Sequence, residues 1–386
     1  MTIAHPRRRW LKQAALATAA TVFAPRVLFA RAETDRRFIF IIQRGAADGL
    51  NTVIPYADPA YAGLRRELAI DPAQAIRLDG SFALHPSLAA TGELYRAGQA
   101  LFLHAVASPY RERSHFDGQN VLETGGTRPY QRKDGWLNRL LGMLPGQKDA
   151  EAIALAPTVP LALRGQGRVA SYAPSTLPAP SDDLLLRVQQ LYEPDAQLHA
   201  LWDAALEARD MAGPGRTRQN PAELGKLAAT FLKRPDGPRI AMVETGGWDT
   251  HAGQNARLAA QLKNLDALLA ALREHLGDAW NQTVVLVATE FGRTAAVNGT
   301  GGTDHGTGSA AMLVGGAVRG GRVIADWPGL DQAHLLEARD LRPTLGLPTL
   351  IATTAAECFA LDPGRTLQTL YPGQTAAGRL PGLLTS

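Results

Sequence analysis

Four short stretches of the sequence set carboxylates and imidazoles close together: RGAADGLN with Asp48, GGWDTHAGQ with Asp249 and His251, TEFGRT with Glu290, and GGTDHGTGS with Asp304 and His305. Carboxylate oxygens and imidazole nitrogens suit the harder divalent cations, so these groups, if gathered, would hold zinc, manganese, magnesium or calcium. A fifth stretch, SPYRERSHFD, sets Ser114 before a helical pattern that ends at Thr124-Gly125. A hydroxyl there would face the amide dipoles of a helix start, which favour a bound anion, and Arg111 and Arg113 could clamp a phosphate or sulfate. Each stretch also has a structural reading. Asp48-Gly49 suits a turn, Asp249 an N-cap before Ala252, Glu290 an ion pair with Arg293, Asp304-His305 a glycine-rich turn, and Ser114 an N-cap.

What separates the two readings is where the stretches fall along the chain. Apolar, β-branched runs at 38–42, 100–106, 152–155, 240–243, 283–288 and 310–314 are of the kind that fill strands buried on both faces. Helical patterns alternate with several of them, most clearly at 255–276, where leucines and alanines recur every three or four residues. That order predicts an α/β fold, a doubly wound and mostly parallel sheet with helices on both faces. Ligands in such sheets collect at the carboxyl ends of the strands. Asp48, Asp249, His251, Glu290, Asp304 and His305 all come directly after predicted strands or lie a short loop beyond one. Residues 157–238 are richer in proline and polar residues around helical patterns at 182–211 and 221–233, and read as a small, mainly helical cap or insertion. No internal repeat interrupts the pattern.

The first 32 residues are set apart by Arg7-Arg8-Arg9-Trp10-Leu11-Lys12, a short alanine-rich apolar run and Ala30-Arg31-Ala32. This is the form of a twin-arginine export signal with an A-x-A cleavage site, and the run is too short to span a bilayer. The expectation is a mature chain from residue 33, a single domain over 33–386, exported already folded to the periplasm or beyond, with the export machinery as partner and no stable membrane anchor. The net charge of +4 belongs to that segment. Removing it takes six positive charges and no acidic ones, leaving 34 basic against 36 acidic residues. Nucleic acid is therefore not an expected partner. Cys358 is the only cysteine among 386 residues, which excludes an internal disulfide.

Together the five motifs, with VRGGRVIADWPGL downstream, resemble a twin-arginine-exported family called domain of unknown function 1501, within the alkaline phosphatase-like superfamily. The resemblance spans nearly the whole mature chain. It implies hydrolysis of a small-molecule or polymer-borne anionic ester, phosphate or sulfate, with one or two divalent metal ions. Carried onto this sequence, Asp48 would be a metal ligand from the first strand, Ser114 the nucleophile that is transiently esterified, Asp249 and His251 ligands of a second ion, and His305 the last histidine ligand. Glu290 stands where the superfamily has Asp, and Phe291 comes after it in place of a histidine. His115 or Asp304 could compensate for that loss, and Arg113 or Arg293 could balance charge if one ion remains. Two other readings compete: a non-catalytic, metal-containing envelope binding or assembly protein, and a transferase using the same esterified serine. The sequence contains no G-x-S-x-G elbow and no G-x-G-x-x-G after its first strand, which disfavours a Ser-His-Asp hydrolase and a dinucleotide enzyme.

Overall fold

The computed structural model describes residues 34–144, 152–173, 182–195, 198, 199, 202, 203, 205, 206, 220–376, 380 and 382–385. The predicted export segment, 1–32, and parts of the predicted insertion, 174–181 and 207–219 among them, lie outside the described residues.

All six apolar runs are strands. A nine-stranded sheet contains β1 (Arg37–Gln43), β2 (Ala100–Ala107), β3 (Ala152–Leu155), β4 (Val169–Ser171), β5 (Ile240–Thr245), β6 (Thr283–Thr289), β7 (Ser309–Val314), β8 (Arg322–Ile324) and β9 (Leu345–Gly346). The path across it runs β8-β2-β7-β6-β1-β5-β3-β4, with β9 also on β2. Every pairing is parallel except those of β7, which runs antiparallel to both β2 and β6. Strands β4, β8 and β9 are too short to register in the hydrophobic pattern.

Because successive side chains point to opposite faces, β1 feeds two cores at once. Ile39 and Ile41 enter one, and Phe38, Phe40 and Ile42 the other. Six helices frame the motif loops and the two cores: α1 (Gly49–Thr52), α2 (His115–Thr124), α3 (Trp136–Leu141), α4 (Pro221–Leu232), α5 (Gln254–Leu276) and α6 (Leu347–Phe359). The first core is closed by α4 and by the leucine face of α5, Leu258, Leu262, Leu265, Leu269 and Leu272. Trp136 and Leu140 of α3 close the second, with Leu350, Ile351 and Ala355 of α6. Both β4 and α4, which fall within the predicted 157–238 insertion, pack as parts of the main sheet and its helical layer. Among the described residues, no helix is long and apolar enough to cross a membrane.

The antiparallel course of β7 has a direct consequence. The loop preceding it, GGTDHGTG, arrives at the edge where β1, β2, β5 and β6 end, so every motif loop converges there. Glycine lets that loop lie flat: a Cβ on Gly302 would sit 2.4 Å from the backbone of Thr250 and His251, and one on Gly306 2.3 Å from that of Arg293. The close approach is thus to neighbouring loops of the protein.

One buried histidine in the frame makes its stability depend on pH. His104 of β2 is fully buried; its Nε2 is 2.8 Å from the Val53 carbonyl, and its Nδ1 accepts the Ala105 N–H at 2.8 Å. With one nitrogen donating and the other accepting, the ring is satisfied only when neutral, and burial pushes its pKa down to about 4. The unfolded chain takes up that proton near pH 6.5, so the His104 contribution to folding stability is constant above that pH and falls as pH drops towards 4. The loss expected is of the order of 3 kcal/mol. Urea unfolding of the wild type and His104→Gln between pH 7.5 and 4 checks this; an equal slope in both would refute it.

Candidate metal centre

Each of the three central imidazoles leans on an acceptor through Nδ1. His115, the first residue of α2, sets Nδ1 2.9 Å from Glu290 Oε1. His251, in the loop after β5, sets it 3.1 Å from Asp304 Oδ1, and His305 sets it 2.9 Å from the backbone carbonyl of Arg113. A carbonyl cannot donate. Nor do the carboxylates hold a proton to give. Burial pushes Glu290 upward, but its hydrogen bonds from His115, Gln119 and Gly45 prevail, and Asp304 is lowered by Asn298 and by His251. Each Nδ1 therefore carries the hydrogen, which in a neutral ring leaves each Nε2 as a bare lone pair.

Those three bare nitrogens face one another and Asp249. His251 Nε2 lies 3.0 Å from His305 Nε2 and 3.0 Å from Asp249 Oδ1. His305 Nε2 is 3.4 Å from the same oxygen, and His115 Nε2 is 3.4 Å from Asp249 Oδ2. The ligand atoms of His115, Asp249 and His305 all fall within 4.8 Å of one another. His115 Nε2 is buried and has no hydrogen-bond partner. Four donors whose electron pairs converge when the rings are neutral fit a cation, and histidine nitrogen with carboxylate oxygen fits a divalent one. Asp249, Glu290 and Asp304 against Arg293 leave two negative charges, which one such ion would cancel.

The surroundings hold the rings in place. Phe291 stacks on His115 with centroids 5.2 Å apart and lies tilted against His305 at 5.4 Å. Buried Arg293 donates to Asp249 Oδ1 at 2.7 Å, which leaves Oδ2 turned towards His115. Desolvation raises the Asp249 pKa, but the Arg293 hydrogen bond and charge outweigh it, so the carboxylate stays ionised. Asp340, also buried, ties two loops together: it accepts Arg113 Nε at 3.0 Å and Thr307 Oγ1 at 2.8 Å, while Arg339 reaches the His305 carbonyl at 2.7 Å. Arg113 itself sits at φ 61°, a costly backbone conformation for a non-glycine residue, and its carbonyl is the one that fixes His305.

A family model described as "Protein of unknown function (DUF1501)" matches residues 35–370. The chain belongs to the DUF1501 family. No curated protein matches it. Among solved structures, the DUF1501 chain is similar to Ps i-CgsB in complex with k-i-k-neocarrahexaose, at 10% identity and a TM-score of 0.45, covering 85% of this chain and 73% of that one. It is also similar to the zinc complex of the C-terminal periplasmic domain of EcEptC from Escherichia coli (11%, TM-score 0.41, 93% and 96% covered). The PsFucS1 sulfatase from Pseudoalteromonas sp. is a third (11%, 0.37, 93% and 72%).

Within this DUF1501 chain the residues singled out by sequence fall into three positions. Asp249, His251 and His305 are at the point of convergence. Glu290 and Asp304, expected to be ligands themselves, stand behind it, Glu290 Oε1 on the Nδ1 of His115 and Asp304 Oδ1 on that of His251. Asp48 is elsewhere: it caps α1 through the Asn51 N–H and is gripped by Arg65 and by Gln254 Nε2, all buried. Both Asp48 oxygens are taken, one by Arg65 and the Asn51 N–H and the other by Arg65 and Gln254, whereas Asp249 keeps Oδ2 free of its guanidinium. Asp249 does not cap α5, whose N-cap is Gly253, and Glu290 pairs with His115 where an Arg293 pair was one reading. Ser114 holds the N-cap position of α2 with no side-chain cap bond; its N–H goes to Tyr110 Oη at 3.2 Å. The guanidinium of Arg113 binds Asp340 and Glu337. From sequence His115 stands only as a compensating residue outside the main ligand set, although a histidine directly after the serine, at a helix start beyond a strand, is the signal that could have placed it there.

Proposed function

We propose that the protein is a periplasmic metal-dependent hydrolase of phosphate or sulfate esters, exported by the twin-arginine pathway, with a single divalent ion. The observation that carries this reading is the convergence of three imidazole Nε2 atoms on Asp249, at the strand ends where Ser114 also lies. His115, Asp249, His251 and His305 would hold the ion. When bound, it would act as a Lewis acid on an ester oxygen. Ser114 is the nucleophile: its Oγ bonds to phosphorus or sulfur as the ester's alcohol departs with the serine proton, and water then releases the inorganic anion and restores the hydroxyl. Glu290 and Asp304 orient His115 and His251, Arg293 turns Asp249, and Arg113 fixes His305 through its carbonyl.

Ser114→Ala is expected to bind zinc as the wild type does and to lose at least about 100-fold in hydrolysis of p-nitrophenyl esters, the range in which deletion of a nucleophile falls. Colorimetric assay and elemental analysis on the same preparations decide it, and unchanged turnover would remove the nucleophile. A non-catalytic envelope protein is the second reading. It is favoured by the engagement of both Arg113 and Arg293 with carboxylates, and tight zinc with no turnover across the esters would select it.

A further inference from the structure

We infer, resting on the reading of a single bound metal ion, that Arg44 and Gln119 are positioning residues that decide which nitrogen of His115 carries the hydrogen and which meets the ion. His115, Gln119 and Glu123 follow one another at four-residue spacing and so share one face of α2. Arg44, the first residue beyond β1, bridges the last two: its Nη1 is 2.8 Å from Glu123 Oε1 and donates to Gln119 Oε1 at 2.9 Å, while Nη2 holds Glu244. Gln119 Nε2 in turn donates to Glu290 Oε1 at 3.1 Å, the oxygen that faces His115 Nδ1.

The direction of each bond follows from chemistry. A guanidinium has donors and no acceptor, so Gln119 can meet it only through its oxygen. That fixes the amide, whose two ends are alike in shape, with its NH2 group towards Glu290. Gly45 donates its backbone N–H to the same Glu290 oxygen at 2.8 Å. An oxygen that receives two N–H groups has no hydrogen to give, so its third neighbour, His115 Nδ1, must be a donor as well, and Nε2 is the nitrogen left for the ion. With Arg44 removed, the amide is free to turn over and set its oxygen against the Glu290 carboxylate. Acceptor would then face acceptor, and the group that steadies the ring would be displaced.

Chelator competition for zinc on the full chain tests this, with circular dichroism reading the fold. Gln119→Met, which keeps the length and loses the amide, is expected to lower zinc affinity about tenfold, the low end of the range for loss of a ligand's outer partner. Arg44→Met is made together with Glu123→Gln, so that no buried carboxylate is stranded, and is expected to lower it equally. Because Arg44 acts through Gln119, the triple variant is expected to lose no more than either. Nitrogen NMR of the histidines in the zinc-loaded chain supplies a reading that a merely structural role would not move: the His115 hydrogen on Nδ1 and zinc on Nε2. Undiminished zinc affinity in Gln119→Met, losses that add in the triple variant, or zinc on Nδ1 of His115 would each overturn the inference and leave the ion in place. A wild type that binds no zinc would instead refute the ion itself.

Discussion

His115→Ala is expected to leave a folded chain whose zinc affinity has fallen by about 100-fold or more, beyond the 10–100-fold typical when only an outer partner of a metal ligand is lost. The reason is specific to this ring. Its Nδ1 hydrogen is held by Glu290, its face by Phe291, and its buried Nε2 has no partner except the approach of Asp249 at 3.4 Å. The Glu290 hydrogen bond raises the pKa of this imidazole and outweighs burial, which opposes a charge there, so in the metal-free chain it takes up a proton readily. An ion displaces that proton, and proton release on metal binding is therefore part of the same expectation. Chelator competition measures the affinity and circular dichroism the fold. Stoichiometric, undiminished zinc in the alanine variant would remove His115 from the site and leave a three-donor set. Asp48→Asn serves as the contrast: it breaks the buried pair with Arg65 but removes no ring nitrogen or carboxylate from the point of convergence, so its zinc affinity should fall far less than that of His115→Ala.

The second large effect is on stability. Arg65 is 0% exposed and pairs with Asp48, itself 1% exposed, so Arg65→Met strands a carboxylate in the interior. Breaking a buried pair from one side costs about 3–5 kcal/mol, whereas replacing both partners by apolar residues is often close to neutral. Arg65→Met is thus expected to lower the urea-derived stability by that amount, and the double variant Arg65→Met with Asp48→Leu to recover much of it. Gln254 sharpens the case: its amide donates to Asp48 and its oxygen accepts from Thr250 and Thr303, so the pair is wired to the loops beside the metal centre. If Asp48 instead belonged to an ion site, saturating zinc would restore the stability of Arg65→Met, because the freed carboxylate would gain a ligand. Rescue by zinc is the result that would return Asp48 to the ligand set.

Much of the frame was legible because the apolar runs are long and the helical periodicity of 255–276 is clean. Six strands and α5 emerge from those patterns within a residue or two of their observed bounds. Ser114 was legible as a helix start and Asp48 as a turn residue. The divisions within the site were not legible. Whether a carboxylate touches an ion or stands behind an imidazole depends on ångström-scale distances between loops 53 and 175 residues apart. Asp48 and Arg65 are 17 residues apart, joined by no local rule of spacing, and only packing reveals that they neutralise each other.

The sequence by itself determined the chemistry available and the layers that carry it: imidazole and carboxylate donors without thiolate, set after strands whose apolar runs require helices on both faces. The tertiary structure decided which donors meet. Local pattern cannot encode the direction of β7, since a buried strand reads the same whether its neighbours run with it or against it. Its reversal brings the Asp304-His305 loop to the ends of β1, β2, β5 and β6, and there Nδ1 contacts with Glu290, Asp304 and the Arg113 carbonyl turn three ring nitrogens towards one carboxylate.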